Sequence, residues 1–214
     1  MTRQRRMIPF LLGGAVLVAV AIAAVVVLRP RHGSLDAWAP GFGALVRIVD
    51  GNESYDVELT DFAVIEGRVA YQGPTISVDS ENWKPSHIYR GVDLAAVLGN
   101  ALGESEYGTV TAVALDGWNK TIPRDVVEET TACGRAVLAL SIDDEPADDW
   151  EDGPLLLFLP EDERLSNQDM LDAFGPEYAH FFGKEPSSTG LLVKGVVFLV
   201  IDHDGGRLPT VLDL

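Results

Sequence analysis

An unbroken run of 21 residues without a charge, Ile8 to Leu28, constrains this chain more than any other feature. Coiled as an α-helix at 1.5 Å per residue, such a run is about 30 Å long, the thickness of a bilayer's hydrocarbon layer. Ala, Val, Leu and Gly fill it, and Pro9 falls in the first turn, where a missing N–H is no loss. Arg3, Arg5 and Arg6 precede the run and Arg29 and Arg31 follow it. Three arginines against two place the N-terminus in the cytoplasm by the positive-inside rule. The run is long for the apolar core of a signal peptide. No polar region with a small-x-small cleavage site precedes Arg29, and no lipid-accepting cysteine follows. The adjacent Arg5 and Arg6 also resemble a twin-arginine leader, whose route exports folded proteins with their cofactors. The expected organisation is a basic cytoplasmic N-terminus (1–7), a transmembrane helix (8–28), a linker (29–43) rich in Pro and Gly, and an extracytoplasmic domain (44–214).

Charge divides the chain at the same place. All 33 acidic residues lie after Gly33, against 11 of the 16 basic ones, so the remainder carries a formal charge of −22. Nucleic-acid binding relies on Lys and Arg neutralising phosphates, so nucleic acid is excluded as a partner. With 47% apolar residues the body can build a sizeable core. A single cysteine, Cys133, excludes an internal disulfide framework and any cysteine-cluster metal site.

Within the domain, apolar runs alternate with turn signals. Ala44 to Val49 and Tyr55 to Leu59 read as strands about Asp50-Gly51-Asn52, with shorter candidates at Arg68 to Tyr71 and Thr75 to Val78. Val92 to Leu102 has the spacing of an amphipathic helix, and Gly103 is its natural stop. Asp116-Gly117 between Thr109 to Leu115 and Trp118 to Ile122 predicts a tight hairpin. Pro123 opens a short helix over Arg124 to Thr130, and Asn167 to Phe174 predicts another. Ala136 to Ile142, Leu155 to Leu159 and Leu191 to Ile201 are continuous apolar runs, as expected of buried central strands. The fold class is therefore α+β, a mixed sandwich or barrel-like sheet with short helices.

Several of these pieces, in this order, resemble the molybdopterin-binding oxidoreductase domain of the sulfite oxidase family. Tyr89-Arg90-Gly91-Val92-Asp93-Leu94 looks like that family's aromatic-x-Gly-Val-x-Leu helix start, and Asp116-Gly117-Trp118 is similar to its Asp-Gly-aromatic hairpin. Asp144-Glu145-Pro146, Gly153-Pro154-Leu155 and Pro160 resemble the stretch through a core strand, and Lys194-Gly195-Val196-Val197 the closing strand. The likeness spans Asp61 to Ile201. It implies the family's fold, with loops near Trp83, His87, Tyr89 and Arg90 bordering the cofactor cleft, and molybdopterin as the cofactor to consider; Trp118 is a further cleft candidate, and the Trp83 to Arg90 segment equally suits a partner surface or a core cap. In that family a cysteine upstream of the helix start holds the molybdenum, yet Asp61 to Ile88 contains none, and Leu156 stands where an arginine is usual. Neighbouring Ser, His or Asp residues do not replace a soft thiolate without changing which metal binds.

Other candidates are fewer. Cys133 reads as a small packed residue at a strand entrance. Seven carboxylates between Asp143 and Asp152 read as a solvated connection, without the alternation of a calcium loop. Asp202-His203-Asp204 is a fragment of a metal-site pattern that fails at Arg207 and Leu208. Tyr178, His180, Phe181 and Phe182 form an aromatic segment suited to a pocket wall, a partner surface or a core cap. The expectation is an anchored, non-catalytic domain without a cofactor, binding a small ligand or a membrane-protein partner. The alternatives are a molybdenum oxidoreductase with an unusual ligand set and an accessory subunit of a membrane complex.

Overall fold

The computed structural model describes residues 44–74, 82–128, 131–146 and 153–204. The chain divides between Trp38 and Ala39, and every described residue belongs to the second unit. The expected membrane segment, the linker and the strand at Thr75 to Val78 lie outside the described residues. Among the described residues, no helix is long and apolar enough to cross a membrane.

The elements run in the order β1 (Leu45–Asp50), β2 (Glu53–Glu58), β3 (Val64–Tyr71), β4 (His87–Asp93), α1 (Leu94–Leu102), β5 (Thr109–Ala114), β6 (Asn119–Pro123) and α2 (Arg124–Glu128). They continue with β7 (Arg135–Ile142), β8 (Glu145–Pro146), β9 (Leu155–Leu159), β10 (Arg164–Leu165), α3 (Asn167–Tyr178), β11 (Phe181–Phe182), β12 (Glu185–Pro186) and β13 (Val196–Asp202). The fold is α+β. One sheet has the order β2-β1-β13-β5-β6; a second has β10-β3-β4-β7-β8, with β9 also on β7. β11 and β12 form a separate small hairpin.

In the first sheet β13 is central, parallel to β1 and antiparallel to β5. Its neighbours bury Val46, Ile48, Val110 and Ala112 completely. β2 closes one edge with exposed Glu53, Ser54, Asp56 and Glu58, and charged side chains on an edge discourage further strand pairing. The opposite edge ends in the β5–β6 hairpin about Asp116-Gly117, where Gly117 takes a φ of 90°.

The second sheet is built on β7, which pairs antiparallel with β4 along one edge and with β9 and β8 along the other. Between the sheets, α1 packs on β4 and β7 of one and on β2 of the other. Asp93 caps α1 by accepting from the Ala95 N–H at 2.9 Å, and Gly103 stops it with a φ of 62°. A capping box starts α3: Ser166 Oγ accepts from the Asp169 N–H at 3.1 Å, and Asp169 Oδ2 accepts from the Ser166 N–H at 2.9 Å. Gly175 and Pro176 break its helical geometry after Phe174.

Three local expectations need correction. His87 to Asp93 forms strand β4, so the helix begins at Leu94 instead of Val92; β3 and β7 supply ladder bonds on both sides. β3 begins at Val64, four residues before the expected Arg68. The run Leu191 to Ile201 is a strand only from Val196, because Leu191 ends a 3₁₀ turn and Gly195 takes a φ of 69°.

Two glycines in the same domain test the packing in opposite directions. A Cβ on Gly91 would lie 2.6 Å from Ala139 Cα and closer still to the Leu138 carbonyl oxygen, at the irregularity where β4 crosses β7. Gly99, on the exposed face of α1, has nothing within 4 Å of such an atom. Gly91→Ala should therefore lose ~1–3 kcal/mol of stability through overpacking. Gly99→Ala should gain about 0.5–1 kcal/mol through helix propensity. Urea denaturation of the two variants checks both signs.

Candidate functional site

The five residues expected to border one cleft fall in three places. The first is beside the free end of β3. Trp83 bridges to Gln72, and the Arg164 guanidinium of β10 lies over its ring at 4.1 Å. That arrangement is a cation–π contact on a partly buried face.

His87, Tyr89 and Arg90 lie on β4, opposite the tip of the β7–β8 hairpin. The two tip residues, Asp143 and Asp144, have φ values of 48° and 72°. Two successive positive φ angles make the twist of a primed hairpin turn, which normally selects Asn-Gly or Asp-Gly. Here both positions are aspartate, and the surroundings hold them. Asp143 Oδ1 accepts from the Ile88 N–H at 2.8 Å, and its Oδ2 lies 2.6 Å from His87 Nδ1. The Asp143 N–H donates to the Ile88 carbonyl at 2.8 Å. Arg90 donates to Asp144 and, through Nε at 2.6 Å, to Glu66 directly across on β3. His87 and the Ile88 N–H together hold the Asp143 carboxyl below its ordinary range. Tyr89 is buried beside His87, and burial followed by the Asp143 charge pushes its phenol up. The polar groups of β4 thus hold a strained acidic turn in place. His87 is oriented by a carboxylate as a general base would be, but its ring neighbour Tyr89 has a phenol that resists ionisation.

The third place is the tip of the β5–β6 hairpin. Asp116 Oδ1 accepts from the Trp118 N–H at 2.8 Å, fixing the turn, and Trp118 remains 44% exposed. Its ring meets His180 edge-on at 5.5 Å, just before β11. The aromatic segment 178–182 thus adjoins Trp118 instead of the β4 group.

Cys133 lies in the turn that leads into β7, fully buried. Its S–H donates to the Asp169 carbonyl of α3 at 3.6 Å. Burial, reinforced by the Asp169 charge and opposed by Lys120, pushes the thiol up to about 12. A thiol in that state is a poor nucleophile and a poor metal ligand at neutral pH. Among the described residues, no hydrogen bond joins it to His87 or His180. Leu156, where the resemblance implies an arginine, is also fully buried in β9, exchanging backbone bonds with Val193. The residues present do not fit a molybdenum cofactor held through sulfur.

His203 has both ring nitrogens engaged: Nδ1 lies 2.6 Å from the Glu106 carbonyl and Nε2 lies 2.7 Å from Asp50 Oδ1. A carboxylate and a carbonyl only accept, so it is the imidazolium that donates to both. Asp50 is 153 positions away in sequence, and only the parallel β1–β13 pairing brings it near. No group of three or more His, Cys, Asp or Glu side chains among the described residues is placed to hold a metal ion.

Sequence reasoning also missed Lys120. It is buried, donates to the Tyr178 carbonyl and lies 5.2 Å from the Phe174 ring centre. Its position on the inward side of a five-residue strand was the available signal.

Comparison with the models of known protein families, and with curated proteins, gives no match.

Two outcomes follow from these environments. Cys133 should react with a water-soluble disulfide reagent in the native protein only as fast as the domain opens, and stoichiometrically in denaturant. His203 has its pKa raised, by Asp50 first and the Glu106 carbonyl second. The sign is fixed by that direction: its contribution is complete below the unfolded value of about 6.5 and is lost as pH rises through the higher folded value. His203→Gln should therefore flatten the stability–pH curve across that window, read from denaturation midpoints at a series of pH values.

Proposed function

We propose that this chain is a single-pass, membrane-anchored extracytoplasmic domain on a molybdopterin-oxidoreductase-like scaffold, without redox chemistry, that binds a small ligand or a membrane-protein partner. The observation that carries the reading is the state of its one sulfur. Cys133 sits at 0% exposure with its S–H committed to a backbone carbonyl and its ionisation pushed up to about 12. A scaffold that needs a thiolate on its metal has none to offer here. Buried Leu156 closes the arginine position that the resemblance implies, and Arg90 is already shared between two carboxylates. A phosphorylated cofactor entering a domain of formal charge −22 needs several uncommitted donors converging on it.

Anchoring follows from the 21-residue uncharged run, and orientation from the arginines around it. With that topology, protease added to intact cells digests the acidic domain. Protection of the domain reverses the orientation.

The non-redox reading is tested by purifying the full chain from a host that makes the pterin cofactor and measuring bound metal. The expected result is no stoichiometric molybdenum and no pterin in the extract. One molybdenum per chain would overturn the proposal.

A further inference from the structure

On most of its described surface this domain is acidic or polar, and large apolar side chains are few. Three of the five that are exposed lie together: Trp118 at 44%, Phe181 at 39% and Phe182 at 72%. Phe181 and Phe182 form β11, and Gly183-Lys184 turns the chain into β12. Trp118 is on the neighbouring hairpin tip and touches the His180 ring that leads into β11.

These aromatics are mounted on a rigid base. The Ser187 N–H donates to the His180 carbonyl at 3.0 Å and closes the small hairpin. The His180 N–H donates to Met170 Sδ at 3.5 Å, tying it to α3. The His180 ring rests directly on Gly190, where any Cβ would collide with it. Lys120 fixes the preceding turn through the Tyr178 carbonyl. Phe182 is therefore held out into solvent by a structured support, and exposed aromatics displayed in this way mark a contact surface.

The charges beside it indicate the occupant. Of the three exposed lysines among the described residues, Lys184 and Lys194 border this face, with the exposed Glu185 and Asp116 beside them. Lys184 adjoins Phe182 in the hairpin turn; Lys194 precedes Gly195, whose carbonyl accepts from the Leu115 N–H at the base of the Trp118 hairpin. Aromatic rings with lysines beside them suit the headgroup layer, where rings enter the acyl boundary and ammonium groups meet lipid phosphates. The tether permits the approach: the 15 residues from Arg29 to Gly43, fully extended, reach about 50 Å.

We infer that the Trp118 and Phe181–Phe182 hairpins dip into the headgroup layer of the membrane in which the chain is anchored, with lipid phosphates as the partners of Lys184 and Lys194. This rests on the anchored reading proposed above.

The test uses the full chain reconstituted into phosphatidylcholine vesicles, with an environment-sensitive fluorophore on Glu185→Cys. Cys133 is fully buried, so the introduced thiol is the reactive one. The expected emission is blue-shifted and is quenched by lipids carrying a nitroxide near the headgroup. The same label on Ser54→Cys, at the opposite edge of the first sheet, should show neither effect. Adding Phe182→Ser to the Glu185→Cys chain should abolish most of the shift; the side chain is largely exposed, so folding is preserved. A label that stays water-like on vesicles that float with the protein overturns the inference alone and leaves the face to a protein partner. A chain that does not float with the vesicles overturns the anchored reading and this inference with it.

Discussion

Strand β9 has no free edge, and the second sheet depends on how that is achieved. Leu155 to Phe158 are buried on both faces, and β9 pairs with β7 along one side. The outward-facing backbone groups of Leu156 and Phe158 sit where no water reaches, and an unmade hydrogen bond there costs about 1–3 kcal/mol each. Leu156 exchanges bonds with Val193 at 2.9 and 3.1 Å. Phe158 is served by one hydroxyl: Tyr71 Oη donates to its carbonyl and accepts from its N–H, both at 2.8 Å. A tyrosine 87 residues away thus acts as a fragment of a missing strand. Its own burial then follows, and with it the large upward shift of its phenol.

That closure places everything downstream. Once Val193 is fixed against β9, the Val196 N–H donates to the Pro154 carbonyl at 2.9 Å, and β13 leaves for the other sheet. The two sheets are therefore joined by backbone bonds as well as by the shared core. β13 then pairs with β1 and β5 and brings His203 to Asp50. Gly134 admits the same seam from the other side, since its φ of 75° and lack of a Cβ let the Leu159 carbonyl and Pro160 approach the start of β7.

How much of this was legible in the sequence depends on whether the deciding contact is local. Asp116-Gly117 between β-formers and Gly103 after the helix are turn and cap chemistry, complete within a few residues, and both stand as expected. β9 was legible because a five-residue apolar run bounded by prolines has few other uses. β4 was not: His87-Ile88-Tyr89-Arg90 alternates too weakly to declare a strand, and the apolar spacing from Val92 onward belongs to the helix that follows. Its strand state is imposed by β3 and β7. The acidic turn was read as a solvated connection, and its tip is that. What stayed invisible was that Asp143 and Asp144 hold positive φ angles because His87 and Arg90, more than fifty residues earlier, bind them. That Trp118 sits on a hairpin of the other sheet from His87, Tyr89 and Arg90 was invisible for the same reason.

Lys120 shows how one buried charge organises the aromatic end of the molecule. An ammonium at 8% exposure needs compensation, and it finds the Tyr178 carbonyl and the Phe174 ring, which itself stacks edge-on with Phe158 at 5.4 Å. The positive charge of Lys120 reaches His180. Burial and then the field of that charge lower the pKa of His180. A neutral imidazole packs against Trp118 and Gly190 without a desolvated charge, whereas an imidazolium there would face Lys120 across low-dielectric contacts. The lysine thus keeps the mount of the exposed phenylalanines uncharged and well packed. Replacing it with methionine, similar in length but without charge, removes both the carbonyl contact and the field, so His180 should regain a pKa nearer its ordinary value; an unchanged histidine titration by NMR would place the cause in burial alone.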